Sequence, residues 1–282
     1  GSRRGDPMKM RRIIAIVKKD LLEVLPNKGA WLPMIIVPLI FVVIMPLAFL
    51  LLPQVVNLAP EELMPAYQVK GFLANLPPSM TAALDGLDEV ETMQVMILGY
   101  FFAPMFLIFP LMISTIIASE SFAGERERKT IEALLYTPAS DAELFTGKAL
   151  AAFIPAILVT WISFIIYAIV LNTAGFSLYG QVWFPLASWF PLLFWVTPAV
   201  ALMGVAFTVL ISARNPTFMG SYQTSGSLVI LVLGLVAGQA AGVLYLSVGV
   251  GMLVGLFFWL VAGGMTWFSI KNFNRSKLLT TG

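Results

Sequence analysis

Four stretches of the chain contain no Asp, Glu, Lys or Arg: residues 29–60, 92–119, 149–213 and 215–270. Runs of this length constrain the fold more than any other feature. About 20 apolar residues make a helix that crosses the hydrocarbon core of a bilayer, and a charge at its centre costs about 2.5–3.5 kcal/mol. The first two runs hold one span each, and the last two are too long for one. Asn172-Thr173-Ala174-Gly175 and Tyr179-Gly180-Gln181 punctuate the third run as a polar, Gly-rich turn, and Gly249 with Gly251 break the fourth. The pattern predicts an all-α polytopic membrane protein with six spans, at 31–52, 94–118, 149–171, 186–211, 219–240 and 250–270. Composition agrees: 11% of the 282 residues are charged, against roughly 25% in an average soluble domain.

Positive residues between spans are retained on the cytoplasmic face. Eight Lys and Arg precede the first span, four lie in the loop 119–148, Arg214 is one more, and Lys271, Arg275 and Lys277 follow the last span. Only Lys70 falls on the other side, in a 53–92 segment with six acids: Glu61, Glu62, Asp85, Asp88, Glu89 and Glu91. Both termini are therefore expected in the cytoplasm of a multi-pass plasma-membrane protein. The first apolar run follows a basic segment without a small-residue cleavage site, so no signal peptide is expected.

Chemistry is narrowed by two absences. The chain has no Cys and no His, which removes disulfides, thiol nucleophiles, imidazole metal ligands and His-based catalytic triads. No metal site, no nucleic-acid partner and no catalytic constellation is expected. Spans free of ionisable groups also argue against proton-coupled transport and for an external energy source.

Two units follow, residues 8–28 and 29–282. Ile13, Ile14, Val17, Leu21 and Val24 recur at helical spacing beside Arg12, Lys18, Lys19 and Glu23, which predicts an amphipathic helix lying along the anionic inner leaflet, closed by Pro26-Asn27-Lys28-Gly29. The Pro-rich segment 53–92 is too short for a core of its own and is expected to pack on the outer ends of the spans. Its roles stay open between shaping an exit and capping the bundle.

The loop 119–148 concentrates mixed charge. Glu125 with Lys129, and Arg128 with Glu132, are i,i+4 pairs that predict a short helix, stopped by Thr137-Pro138. Ser140 followed by Glu143 is a capping box that starts the helix into the third span. In order, the loop shows Glu125-Arg126-Glu127, Thr130-Ile131-Glu132-Ala133-Leu134-Leu135, Pro138, Ser140, Glu143 and Gly147-Lys148. This run of about 25 residues resembles the permease subunits of type-2 ABC exporters, the group that includes the sodium and drug exporters of the NatB kind. Lys129 stands where that family often has Gly.

The resemblance implies that the loop couples the spans to a separate cytoplasmic ATP-binding subunit, through Glu120, Phe122, Glu125, Arg126, Glu127, Arg128, Lys129, Thr130, Glu132, Leu135, Pro138, Ser140, Glu143 and Lys148. It also implies a second permease chain, identical or not, alongside membrane lipid. ATP and Mg belong on the partner, and no cofactor is expected in this chain: Gly147-Lys148 is followed by Ala149 rather than Ser or Thr, so no phosphate-cradling loop exists. In the resembled family the path lies at the permease interface, largely on the second and fifth spans. There Tyr100, Phe101, Tyr222, Gln223 and Gln239, with the small-residue register Gly234, Gly238 and Gly242, are candidates for the path or the dimer interface. Packing within one chain explains that register equally well, and a scaffold that docks an ATPase without transporting explains the same loop.

Because the chain lacks Cys, its topology is testable directly. In cells carrying Lys70→Cys, an impermeant thiol reagent added outside should label position 70, whereas Arg275→Cys should label only after permeabilisation. The reverse pattern would overturn the orientation.

Overall fold

The computed structural model describes residues 10–56, 84, 86–130, 139–215, 217–241 and 244–272. Among them every regular element is a helix. α1 is Met10–Val24. α2 runs through Lys28–Leu39, a π-helical turn Ile40–Ile44 and Met45–Val56. α3 joins Glu89–Val95, a π segment Met96–Phe101, Phe102–Met105, Ile108–Ser119, a second π segment Glu120–Gly124, and Glu125–Glu127. α4 is Asp141–Tyr179. α5 joins Trp189–Pro191, Leu192–Val196 and Thr197–Ser212. α6 joins Phe218–Ser225, Gly226–Leu228 and Val229–Ala240. α7 is Val248–Asn272.

Six of these helices, α2 to α7, are long and apolar enough to cross a membrane. In α3, 78% of the most apolar window is buried, against 22% in each of α2, α6 and α7. α3 is therefore the axis of the bundle, and α2, α6 and α7 present apolar side chains such as Ile35, Ile230 and Leu253 outward. In water such a surface would aggregate, and in lipid it is the expected exterior. The core around α3 is aromatic. The Phe106 ring sits 4.9 Å from those of Phe109 and Trp189 and 5.1 Å from that of Tyr167, in edge-to-face arrangements.

Proline explains where side-chain donors reach into these helices. A proline has no N–H, so the carbonyl four residues before it loses its helical partner, and in lipid that carbonyl must be satisfied by protein. Pro104 leaves the Tyr100 carbonyl open, and Gln239 Nε2 of α6 donates to it at 2.8 Å. Pro53 does the same to the Phe49 carbonyl, which accepts from Gln94 Nε2 at 3.0 Å. The neighbouring π segment draws two more donors: Tyr167 of α4 donates to Leu98 O at 2.7 Å and Trp189 of α5 to Gly99 O at 2.6 Å. Three consecutive carbonyls of α3 thus bind one side chain each from α4, α5 and α6.

Small residues fix the remaining approaches. A Cβ on Gly147 would lie 2.7 Å from Ile16, which brings α1 onto α4, and a Cβ on Gly99 would lie 2.8 Å from Leu186. The Gly234 register behaves differently. Nothing lies within 4 Å of a Cβ on Gly234, Gly238 makes one ordinary contact with Leu244, and Gly242 lies outside the described residues. Packing among the described residues therefore does not account for Gly234.

Two expected breaks move. Asn172 to Gly175 are helical, and α4 ends only at Gly180, whose φ of 63° is left-handed. Asn172 turns its amide outward instead, holding Phe184 O at 2.7 Å and accepting from Trp183 and Phe184 N–H at 3.2 Å. Gly249 and Gly251 lie inside α7, and the fifth and sixth spans separate between Ala240 and Val248. Most of 53–92 lies outside the described residues.

Gln239→Leu should strand the Tyr100 carbonyl and lower stability by about 1–2 kcal/mol. Pro104→Ala restores the missing N–H, so the double substitution should recover most of that loss in thermal unfolding in detergent. Additive losses would contradict this explanation.

Candidate functional site

α1 does not stand alone. Its Ile13, Asp20 and Val24 are buried against the bundle, while Met10, Ile14 and Leu25 form an exposed apolar strip on a neighbouring arc and Arg11 and Lys18 are exposed on the next. The buried face brings acids and bases of α1 against the ends of α3 and α4.

At the centre is Lys148 of α4, 2% exposed. Its Nζ lies 2.7 Å from Glu125 Oε2 and 3.4 Å from Asp20 Oδ2, donates to Ser121 O at 2.6 Å, and sits over the Phe122 ring at 5.5 Å. Asp20 also accepts from the Ser121 hydroxyl. Glu125 pairs a second time with Lys19 of α1, which lies 3.2 Å from both Asp20 and Glu23. Glu120 accepts from Asn27 Nδ2 at 2.8 Å and pairs with Arg128, whose other nitrogen is 3.8 Å from Glu23. At the start of α4, Ser140 and Glu143 form the expected capping box, with N–H···O distances of 2.8 and 3.1 Å, and Glu143 is 3.4 Å from Arg12.

Four of these acids, Asp20, Glu120, Glu125 and Glu143, are 1–2% exposed, and among the described residues only one base, Lys148, is buried with them. An unpaired buried carboxylate is costly, so the balance comes from Lys19, Arg128 and Arg12 at the solvent edge. Burial opposes the charge on Lys19, but Glu125, Asp20 and Glu23 outweigh it and hold its pKa above the usual lysine value. Burial likewise opposes Arg128, and Glu120 reverses the effect. A raised lysine pKa stabilises the folded chain below the unfolded value of about 10.4, and that contribution is lost as pH rises through the folded one. Oxygens of Asp20, Glu23 and Glu125 come within 4.8 Å of one another, the spacing of a cation site. The lysine ammonium groups are the cations that hold them.

The expected helix over 125–132 is not the one formed. α3 stops at Glu127, and the chain turns through Lys129, whose φ is 57°. Thr130 N–H reaches Glu125 O and Lys129 N–H reaches Arg126 O, each at 3.0 Å. That is a Schellman ending with Lys129 at its left-handed position. Glu125 and Arg128 spend their charge on the junction rather than on i+4 partners. The signal was the glycine that the resembled exporters often place at position 129.

Of the sequence candidates, Glu120, Phe122, Glu125, Glu143 and Lys148 face into the junction, and the exposed Ser140 caps α4 at its edge. Glu127, Arg128, Lys129 and Thr130 form its exposed tip. Arg126 turns away and donates to Ser212 O of α5 at 3.0 Å. Glu132, Leu135 and Pro138 lie outside the described residues. Tyr100 and Gln239 meet directly, Phe101 packs in the small cluster around Tyr100, Tyr222 stacks on Phe218, and Gln223 is exposed. Sequence reading missed Lys19, Asp20 and Asn27, because nothing in a periodic pattern tells a buried acid from an exposed one.

Six spanning helices around a buried axis, with charge confined to one junction and the helix ends, define a multi-pass membrane protein. Residues 14–265 match the ABC-2 family transporter proteins, and the chain belongs to that family. Its membrane domains are transport components that generally pair with an ATP-binding subunit. No curated protein and no solved structure matches the chain.

Lys148→Met should leave Asp20 and Glu125 unbalanced and cost about 3–5 kcal/mol, and adding Glu125→Gln should recover part of it in thermal unfolding. Lys129→Gly should raise stability by about 1 kcal/mol by removing the left-handed penalty. A loss there would contradict the Schellman assignment.

Proposed function

We propose that the chain is the permease subunit of a NatB-like ABC exporter, moving substrate out of the cytoplasm or inner leaflet as a separate ATP-binding subunit hydrolyses ATP with Mg. The exposed tip Glu127–Thr130, with the segment 131–138 that follows it, is the docking surface on that subunit. The observation that carries this reading is Arg128: it is exposed at the tip, yet it balances the buried Glu120 of α3 and approaches Glu23 of α1.

A subunit that pulls on the tip therefore acts on a countercharge. Displacing Arg128 would leave Glu120 buried without its base, so the tip and the helix ends move together or not at all. Through Glu23 and Lys19 the same displacement reaches α1, whose exposed apolar strip suits the inner membrane surface. Both termini are then cytoplasmic, and 53–92 shapes the exit. The open face of Gly234 suits close approach by a second permease chain, with Tyr222, Gln223 and Gln239 on the same helix and Tyr100 and Phe101 on α3.

Charge reversal at the exposed Glu127 and Lys129, which takes no buried ion pair apart, should weaken capture of the ATP-binding subunit by about tenfold or more and abolish ATP-driven substrate movement in reconstituted vesicles. Intact transport in that variant would overturn the docking surface. Docking without movement in the unaltered complex would instead favour a scaffold.

A further inference from the structure

Buried hydroxyls in this bundle mostly serve their own helix. Ser114 and Thr115 donate to Leu111 O at 3.0 and 2.9 Å, Thr160 to Ala156 O at 2.7 Å, and Thr208 to Gly204 O at 2.8 Å. Ser119 of α3 and Ser221 and Ser225 of α6 do not. Each is 0% exposed, and none has a hydrogen-bond partner among the described residues. Arg126 is the fourth member: its Nε is buried and unpartnered, and no carboxylate lies within ion-pair distance of it among the described residues.

These four groups belong to the region where the start of α6 packs on the ends of α3 and α5. Glu127 Oε2 accepts from Phe218 N–H at 2.8 Å, which sets the register of antiparallel α3 and α6. At 1.5 Å per residue, Ser221 lies about 4–5 Å, Ser225 about 10 Å and Ser119 about 12 Å from that bond along the seam, so Ser225 and Ser119 are nearly level. Arg126 stands at the mouth, tied to Ser212 O, with the exposed Arg214 two residues further on. All four orphaned groups are N–H or O–H donors, and Glu127 at the rim is already occupied by Phe218 N–H. Unpartnered donors beside a guanidinium, with no carboxylate paired to it, are the chemistry that holds an oxyanion.

We propose that the mouth of the α3–α6 seam is a binding site for a phosphate-type oxyanion, with Arg126 supplying charge and Ser221, Ser225 and Ser119 supplying hydroxyl donors. The shared ligand chemistry is a tetrahedral oxyanion, carried either free or as a phospholipid headgroup. The site does not depend on whether the chain exports anything.

The cysteine-free chain makes the test clean. Ser221→Cys is nearly isosteric, and full-length protein in nanodiscs of neutral lipid can be treated with thiosulfonate reagents of similar size, one bearing a sulfonate and one a quaternary ammonium. Position 221 should react about tenfold faster with the anionic reagent. Arg126→Gln should abolish that preference and Arg126→Lys should keep it. Ser114→Cys, equally buried but bonded to its own helix, should be inert. Slowing by inorganic phosphate assigns a free anion, and slowing only in phosphatidylglycerol nanodiscs assigns a headgroup. Reaction no faster than at position 114, preference for the cationic reagent, or protection by neither phosphate nor phosphatidylglycerol would overturn the site. ATP-driven transport plays no part in the readout, so its failure would bear on the exporter reading alone.

Discussion

Lys148 is the single buried base among the described residues, and it holds three helices together. Asp20 comes from α1, Glu125 and the Ser121 carbonyl from the end of α3, and Lys148 itself from the start of α4. In a chain whose spans exclude charge, this is where ionic attraction acts at low dielectric, and there it is worth far more than at the surface. Its cost is a surplus of buried acid, which Lys19, Arg128 and Arg12 at the edge relieve. The fold therefore leaves three of its structural countercharges within reach of solvent and of a partner.

A second constraint runs along the spans. Prolines and π segments open carbonyls that lipid cannot satisfy, so Gln94, Gln239, Tyr167 and Trp189 reach across to them. Such bonds let α3 be irregular without being loose. They also distinguish the two ends of α3: near Tyr100 it is held by hydrogen bonds to carbonyls, and beyond Ser119 by charge. The seam between α3 and α6 runs beside this charged end, with donors that the ion pairs do not use.

The six spans were legible because exclusion of charge is a one-dimensional signal, written into sequence at the length of a bilayer. The capping box at Ser140 and Glu143 was legible for a similar reason, being local. Breaks placed at Asn172 and at Gly249 were not, since polar or small residues inside an apolar run mark a turn only if their side chains are not engaged elsewhere. Asn172 holds the returning loop, and Gly251 lies 3.1 Å, at its would-be Cβ, from Pro191. Sequence also located the charged loop but not its direction. Glu125 with Lys129 reads as a helix pair by spacing, whereas the partners of Glu125 lie 106 residues before it, in Lys19, and 23 after it, in Lys148. Long-range pairing of this kind leaves no periodic trace.

If the junction transmits movement from the tip, Arg128 and Glu120 act as one unit, and a double-substitution cycle with the ATP-binding subunit measures this directly. Arg128→Gln and Glu120→Gln each retain a hydrogen-bonding side chain while removing the charge, and ATP turnover coupled to substrate movement in vesicles is the readout. Transmission through the ion pair predicts that each substitution lowers coupled turnover, by about tenfold, and that the double substitution lowers it no further. Losses that multiply, or coupled turnover unchanged by either substitution, would contradict it.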